Sequence, residues 1–143
     1  MSRASRQKGQ RGEREVCKIL AEQLGGEYKR NLSQTQDGGY DVLGLEGWAI
    51  EVKFQENLSI EKWWKQAVEQ SSKDKKPVLF FRKSRTDWRV VVPYADNFIS
   101  DEYYSVIPID IFCITVRTEL DRRKDDKPRG TVPWDEPYER REN

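Results

Sequence analysis

The sequence has no histidine. That absence excludes Ser-His-Asp and Cys-His catalysis, nucleases that hold their metal by histidine, and histidine-ligated zinc hydrolases. Cysteine is nearly absent too: Cys17 and Cys113 are the two, and no CxxC pair occurs. A disulfide scaffold and a cysteine zinc site are therefore excluded. No apolar run nears membrane-spanning length, and no signal peptide is visible. The expectation is a cytoplasmic protein with no membrane partner. Net charge is only +1, so composition carries no global basic signature for nucleic acid. Apolar residues make up 36% of the 143 and charged residues another 36%, so part of the chain is expected to lie outside the core. Any catalysis must run on carboxylates, lysine, tyrosine or serine.

What is present is organised as one domain with unequal ends. Residues 1 to 18 carry Arg3, Arg6, Lys8, Arg11, Arg14 and Lys18 against Glu13 and Glu15. Residues 1–8 read as a basic flexible arm able to reach phosphates. Val16, Cys17, Leu20 and Leu24 recur at helical spacing, and Gly25-Gly26 ends that helix. Short strands are expected at 27–31, 40–45 and 48–54, the last two as a hairpin around Glu46-Gly47. Ser59 opens a helix running to about Ser72, with Ile60, Trp63, Trp64, Ala67 and Val68 on one stripe. That stripe reads first as core, with base stacking by the tryptophans as the alternative. Strands follow at 77–82 and 88–92, and 94–104 suits a short helix. Ile107–Val116 suits one more strand or a packed extended segment. The domain is bounded at 9–116, and 117–143 reads as a charged, disordered tail.

The chemistry concentrates in Asp41, Glu51 and Lys53. In the strand Ile50-Glu51-Val52-Lys53-Phe54, alternation sends Ile50, Val52 and Phe54 to one face and Glu51 and Lys53 to the other. Phosphodiester hydrolysis needs water brought to an anionic phosphate and charge stabilised on the leaving oxygen. A divalent ion supplies both, and Mg²⁺ favours carboxylate oxygens. Asp41 and Glu51 are candidate ligands, with the Val52 backbone carbonyl as a third. Lys53 is the candidate to position or deprotonate water, or to stabilise phosphate charge. At about 100° per residue, Glu13 falls in the centre of the apolar helix stripe, where a carboxylate needs a partner. Lys53 or a metal-bound water would serve, which makes Glu13 a ligand directly or through water. Taken singly, each residue has a plain reading: an exposed strand face, a turn-side acid, an acid favoured by the helix dipole. Together, in this order, they favour a nuclease.

The set Glu13, Asp41, Glu51-Val52-Lys53 resembles the PD-(D/E)xK nuclease superfamily. Within it, the opening Lys8-Gly9-Gln10-Arg11-Gly12-Glu13-Arg14-Glu15 is similar to that of archaeal-type Holliday junction resolvases. Asp87-Trp88-Arg89-Val90-Val91-Val92 resembles that family's last core strand, so the likeness runs from about Lys8 to Pro93. It implies an α/β, restriction-endonuclease-like core (α-β-β-β-α-β-β) with a mixed sheet flanked by helices. It also implies Mg²⁺ dependence with Mn²⁺ as a substitute, a homodimer, and cutting of four-way DNA junctions. Glu13, Asp41, Glu51 and Lys53 would be catalytic. Arg14 and Arg30 would contact DNA, as Lys8 and Arg11 could, with Gln66 on the second helix as a further candidate. The alternatives are a restriction- or repair-type nuclease on linear or flap DNA, and a non-catalytic DNA-binding module of the same fold.

Overall fold

Two almost wholly buried strands, β3 (Trp48–Phe54) and β4 (Lys76–Arg82), form the centre of the molecule. In the computed structural model, which describes residues 2–33 and 39–125, they pair in parallel, with Glu51 opposite Leu79 and Lys53 opposite Phe81. A parallel pair needs a crossover, and α2 (Ile60–Gln70) supplies it. Around this centre lie α1 (Arg3–Leu24), β1 (Lys29–Arg30), β2 (Val42–Leu43), β5 (Arg89–Pro93), β6 (Tyr104–Pro108) and α3 (Ile109–Asp125). The six strands form one sheet in chain order, and every neighbouring pair except β3–β4 is antiparallel. This is the mixed sheet flanked by helices that the sequence led us to expect, and it is consistent with a restriction-endonuclease-like fold.

Strand alternation splits the core in two. Ile50, Val52, Phe54, Val78 and Phe80 face α1 and α3, where they meet Val16, Leu20, Phe112, Cys113 and Val116. Leu79, Phe81 and Val91 face α2 and meet Trp63, Trp64 and Ala67. Both tryptophans are therefore core, and stacking on a base is closed to Trp64, which has no exposed surface. α1 can lie close against β3 because Gly12 has no side chain. A Cβ there would stand 3.0 Å from Phe54 Cβ and 3.2 Å from the Trp88 ring.

Several local expectations change. Residues 3–8 are the first turns of α1, started by Ser2, whose hydroxyl accepts the Ser5 N–H at 3.1 Å. They are helical because the cap and the run behind it extend one continuous helix. Gly25 ends α1 as expected, at φ 73°. Ser59 stands at the start of α2, but its hydroxyl makes no capping bond. The 27–31 and 40–45 strands shrink to two residues each. Segment 94–103 holds an isolated bridge, Ala95 to Phe98, in place of a helix. The apolar run 107–116 is not one extended segment. It closes β6 at Pro108 and then turns helical, because Phe112, Cys113 and Val116 fall on one helix face toward the core. Residues 117–125 continue that helix, so the expected boundary at 116 falls inside α3. The remainder of the expected tail, 126–143, lies outside the described residues.

Candidate active site

The site begins where β2 runs out. The Asp41 N–H donates to the Ile50 carbonyl at 2.7 Å. At the next position along that edge of β3, the Val52 N–H donates to Asp41 Oδ2 at 2.8 Å. The Asp41 side chain thus continues the ladder after the backbone of β2 has turned away. A strand residue sends its N–H and C=O to the same edge, so the Val52 carbonyl faces this edge as well. Glu51 leaves β3 on the α2 face, and Lys53 follows two residues later on that face. Glu51 is 5% exposed and Asp41 9%.

Burial sets the electrostatics. The Glu51 carboxyl is pushed well above the usual range, first by burial and next by the negative charge of Asp41, with Lys53 opposing. Asp41 is also raised, first by burial, with the Val52 N–H acting the other way. Burial and mutual repulsion favour keeping a proton on the pair, with Lys53 acting against it. This is the electrostatic condition of a site that accepts positive charge.

Gln70, the last residue of α2, reaches the pair from above. With its amide nitrogen turned toward them, it donates to the Gly39 carbonyl at 3.1 Å and to Glu51 Oε1. A Cβ at residue 39 would stand 2.9 Å from Gln70 Cδ, so the glycine makes room for this contact. Sequence reasoning favoured Gln66 on this helix. Gln66 does line the cleft, but Gln70 makes the bond. The signal was present: Gln70 follows Trp63 and Ala67 on the same helical stripe.

α1 brings Glu13 to the same place. Glu13 Oε1 accepts from Arg30 Nε at 2.9 Å, so its charge partner is Arg30 in place of the expected Lys53 or water. Lys8 lies at the rim, bound to Glu56 at 2.6 Å and to Ser84 Oγ at 3.2 Å. Glu13, Arg30, Asp41, Glu51, Val52, Lys53, Gln66, Gln70 and Lys8 therefore line one cleft of about 940 Å³. Arg11 and Arg14 stand on exposed parts of α1 and do not line it. Arg11 instead approaches the Phe54 ring at 4.9 Å and Glu15 at 3.6 Å. Neighbouring Glu15 is structural, gripping Arg82 at 2.9 Å and the Trp88 indole at 3.1 Å.

Among the described residues, no three acidic, histidine or cysteine side chains stand together as a metal cluster. Among the described residues, two carboxylates and a backbone carbonyl gather at one point, with Glu13 lining the same cleft. That donor set is all oxygen and incomplete. It fits a hard cation that keeps waters and shares the oxygens of a phosphate substrate.

Comparison with known proteins agrees with this chemistry. The profile of a family described as "Phage putative PDDEXK endonuclease" matches residues 4–128. Protein D14 of Escherichia phage T5 is 31% identical over 126 aligned residues, taking in 67% of this chain and 78% of the phage protein. No solved structure matches. Neither match extends to the archaeal-type Holliday junction resolvases. Among the described residues, no helix is long and apolar enough to cross a membrane. The matched span covers every element from α1 to α3 and all the cleft residues, and on that ground the chain belongs to the phage PDDEXK endonuclease family, within the PD-(D/E)xK superfamily.

Proposed function

We propose that this protein is a Mg²⁺-dependent DNA endonuclease of the cytoplasm that cuts branched DNA, four-way junctions above all. One observation carries the nuclease reading: two buried carboxylates, Asp41 at the edge of β3 and Glu51 on its α2 face, line with Lys53 a cleft that also presents Arg30 and Lys8. The junction substrate is supported by the likeness of the Lys8–Glu15 opening to resolvases. Asp41, Glu51 and the Val52 carbonyl would hold the ion, with Glu13 directly or through water. When bound, the ion would supply Lewis-acid polarisation of the phosphate and a more acidic water. The chain's own part is positioning. Val52 N–H fixes Asp41, Gln70 fixes Glu51, and Lys53 places a positive charge or a proton-accepting amine beside the scissile bond. Arg30 retains donors beyond the one given to Glu13, and these are available to a DNA phosphate. Arg11, Arg14 and Lys8 extend positive charge along α1, and Gln66 adds a polar contact.

The test is cleavage of a synthetic four-way junction. Cutting is expected with Mg²⁺ or Mn²⁺ and to stop with EDTA. Lys53→Ala is expected to lower the rate by about a hundred- to a thousandfold, the range for loss of one charge-stabilising group. Full activity in EDTA, or in Lys53→Ala, would sink the proposal. Paired cuts across a junction need two sites, which a homodimer supplies. Sedimentation at micromolar concentration is expected to give the dimer mass.

Gln70 offers a narrower prediction. Gln70→Ala removes one hydrogen bond to a carboxylate, a contribution of about 1.5–3 kcal/mol. If the bond holds Glu51 in its working position, the cleavage rate falls roughly tenfold or more. Glu51→Ala should lose far more. Single-turnover rates at saturating Mg²⁺ separate this from weakened metal binding. An unchanged rate would show that Gln70 only packs.

A further inference from the structure

Leu32 is out of keeping with its position. It is 80% exposed, the most exposed large apolar residue among those described. Turn positions favour Asn, Asp, Gly or Ser for their local hydrogen bonding and backbone freedom. A single exposed leucine means little by itself; its mounting and its neighbours set this one apart.

Leu32 follows two residues tied to the cleft. Before it, Asn31 is buried, and three hydrogen bonds hold it. Its N–H donates to the Asp41 carbonyl at 2.8 Å, its Nδ2 to the Tyr40 carbonyl at 2.8 Å, and its Oδ1 accepts the Ser33 N–H at 3.2 Å. The last bond closes a small turn with Leu32 at its tip, and the first locks that turn to the backbone of Asp41. One residue earlier, Arg30 is held by Glu13. Leu32 lines the same cleft as Glu13, Arg30, Asp41, Glu51 and Lys53. An apolar side chain on an anchored backbone thus lines the cleft that also holds the Arg30 guanidinium and the acid pair.

We propose, resting on the reading of this cleft as a DNA-cutting site, that Leu32 is a wedge. It enters between neighbouring bases beside the scissile phosphate while Arg30 holds a phosphate of the same strand. It thereby makes the enzyme selective for DNA whose stacking is already interrupted. Proteins use leucine in this way to part a base step. The gain from burying one leucine is of the same order as the cost of unstacking one step. On intact duplex the two nearly cancel. At a branch point, where stacking is already broken, the gain survives. A single wedge of this size therefore raises affinity for branched DNA while leaving that for regular DNA almost unchanged.

The experiment uses the full chain with Ca²⁺ for binding and Mg²⁺ for cleavage. The probes are a four-way junction and a linear duplex, each carrying 2-aminopurine next to the cut site. Wild type is expected to raise 2-aminopurine fluorescence on the junction and to prefer it in cleavage. Leu32→Ala is expected to lose the fluorescence rise and about tenfold of the junction-over-duplex preference. Junction affinity should fall by a similar factor, duplex affinity should change little, and thermal stability should not change. Leu32→Met should keep most of the fluorescence rise. Unaltered fluorescence and preference in Leu32→Ala, with wild type cutting normally, would overturn the wedge and leave the nuclease reading standing. Wild type that cuts no DNA would overturn the nuclease reading instead. In that case the fluorescence of bound junction still decides the wedge, and no difference between wild type and Leu32→Ala overturns it.

Discussion

Glu51→Gln is expected to raise the melting temperature of the metal-free protein near pH 8 while reducing cleavage by about a hundredfold or more. Most substitutions of a residue 5% exposed destabilise, so the sign is informative. The folded-state value of Glu51 is raised above its unfolded value of 4.5, chiefly by burial and next by Asp41. A raised carboxyl contributes stability that is fully present below the unfolded value and is lost as pH rises toward the folded one. Above pH 4.5, unfolding lets Glu51 release its proton at low cost, so the native state loses ground steadily. Glutamine has nothing to release, and its nitrogen can replace the missing proton in a hydrogen bond to Asp41. The gain near pH 8 is on the order of 1–3 kcal/mol, or about 5 °C in a domain of this length. Near pH 4.5 the two proteins should converge. Mg²⁺ should raise the melting temperature of wild type and do less for the variant, because an ion that binds only the native state stabilises it by mass action. Calorimetry across pH, with and without Mg²⁺, checks all of this. A lower melting temperature for Glu51→Gln at pH 8, together with no Mg²⁺ effect on wild type, would show that Glu51 is already satisfied by positive partners.

Trp64→Ala is expected to cost about 3–5 kcal/mol, the range for deleting a buried aromatic. The whole stability of a domain is about 5–15 kcal/mol, so this one change removes a large share of it. Trp64 is fully buried between α2 and the sheet, against Leu79, Phe81 and Val91. Its indole N–H donates to the Ser100 carbonyl at 2.8 Å, and its ring lies 5.9 Å from that of Tyr104. It therefore pins α2 both to β4 and to the segment before β6. The same helix delivers Gln66 and Gln70 to the cleft, so the variant should also lose activity through a loosened site. Trp64→Phe keeps most of the packing but strands the Ser100 carbonyl, and should cost less. Urea unfolding measures both, and a shift of the midpoint at constant slope identifies lost stability. An unchanged midpoint would show that Trp64 does not carry this load.

Much of the site was legible locally. The alternation in Ile50–Phe54 placed Glu51 and Lys53 on one face, and β3 bears that out. The stripe in α1 placed Glu13 inward, and it does line the cleft. The full basic opening was legible as charge but not as geometry. Lys8 is taken up by Glu56, while Arg11 turns to Phe54. Those partners lie far along the chain, and no periodicity signals them. The end of the domain is hard to read from the sequence for a related reason: α3 runs on to Asp125. Residues 107–116 are mostly apolar, with Asp110 and Thr115 the exceptions, and such stretches do not distinguish a strand from a buried helix. The position of Phe112, Cys113 and Val116 over the α1 side of the sheet settled it as a helix.

Sequence alone determined the residue types of the site, the strand that carries them and the exclusion of histidine chemistry. These follow from composition and from a two-residue period that no distant contact can shift. The tertiary structure decided what surrounds them. It laid α2 over the face of Glu51, so that an apparently ordinary strand acid became a buried one with a raised proton affinity. It brought Gln70 to Glu51, Arg30 to Glu13, and the Asp41 carboxylate to the Val52 N–H. Burial and charge pairing depend on which segments meet in space, and the chain states that only once it has folded.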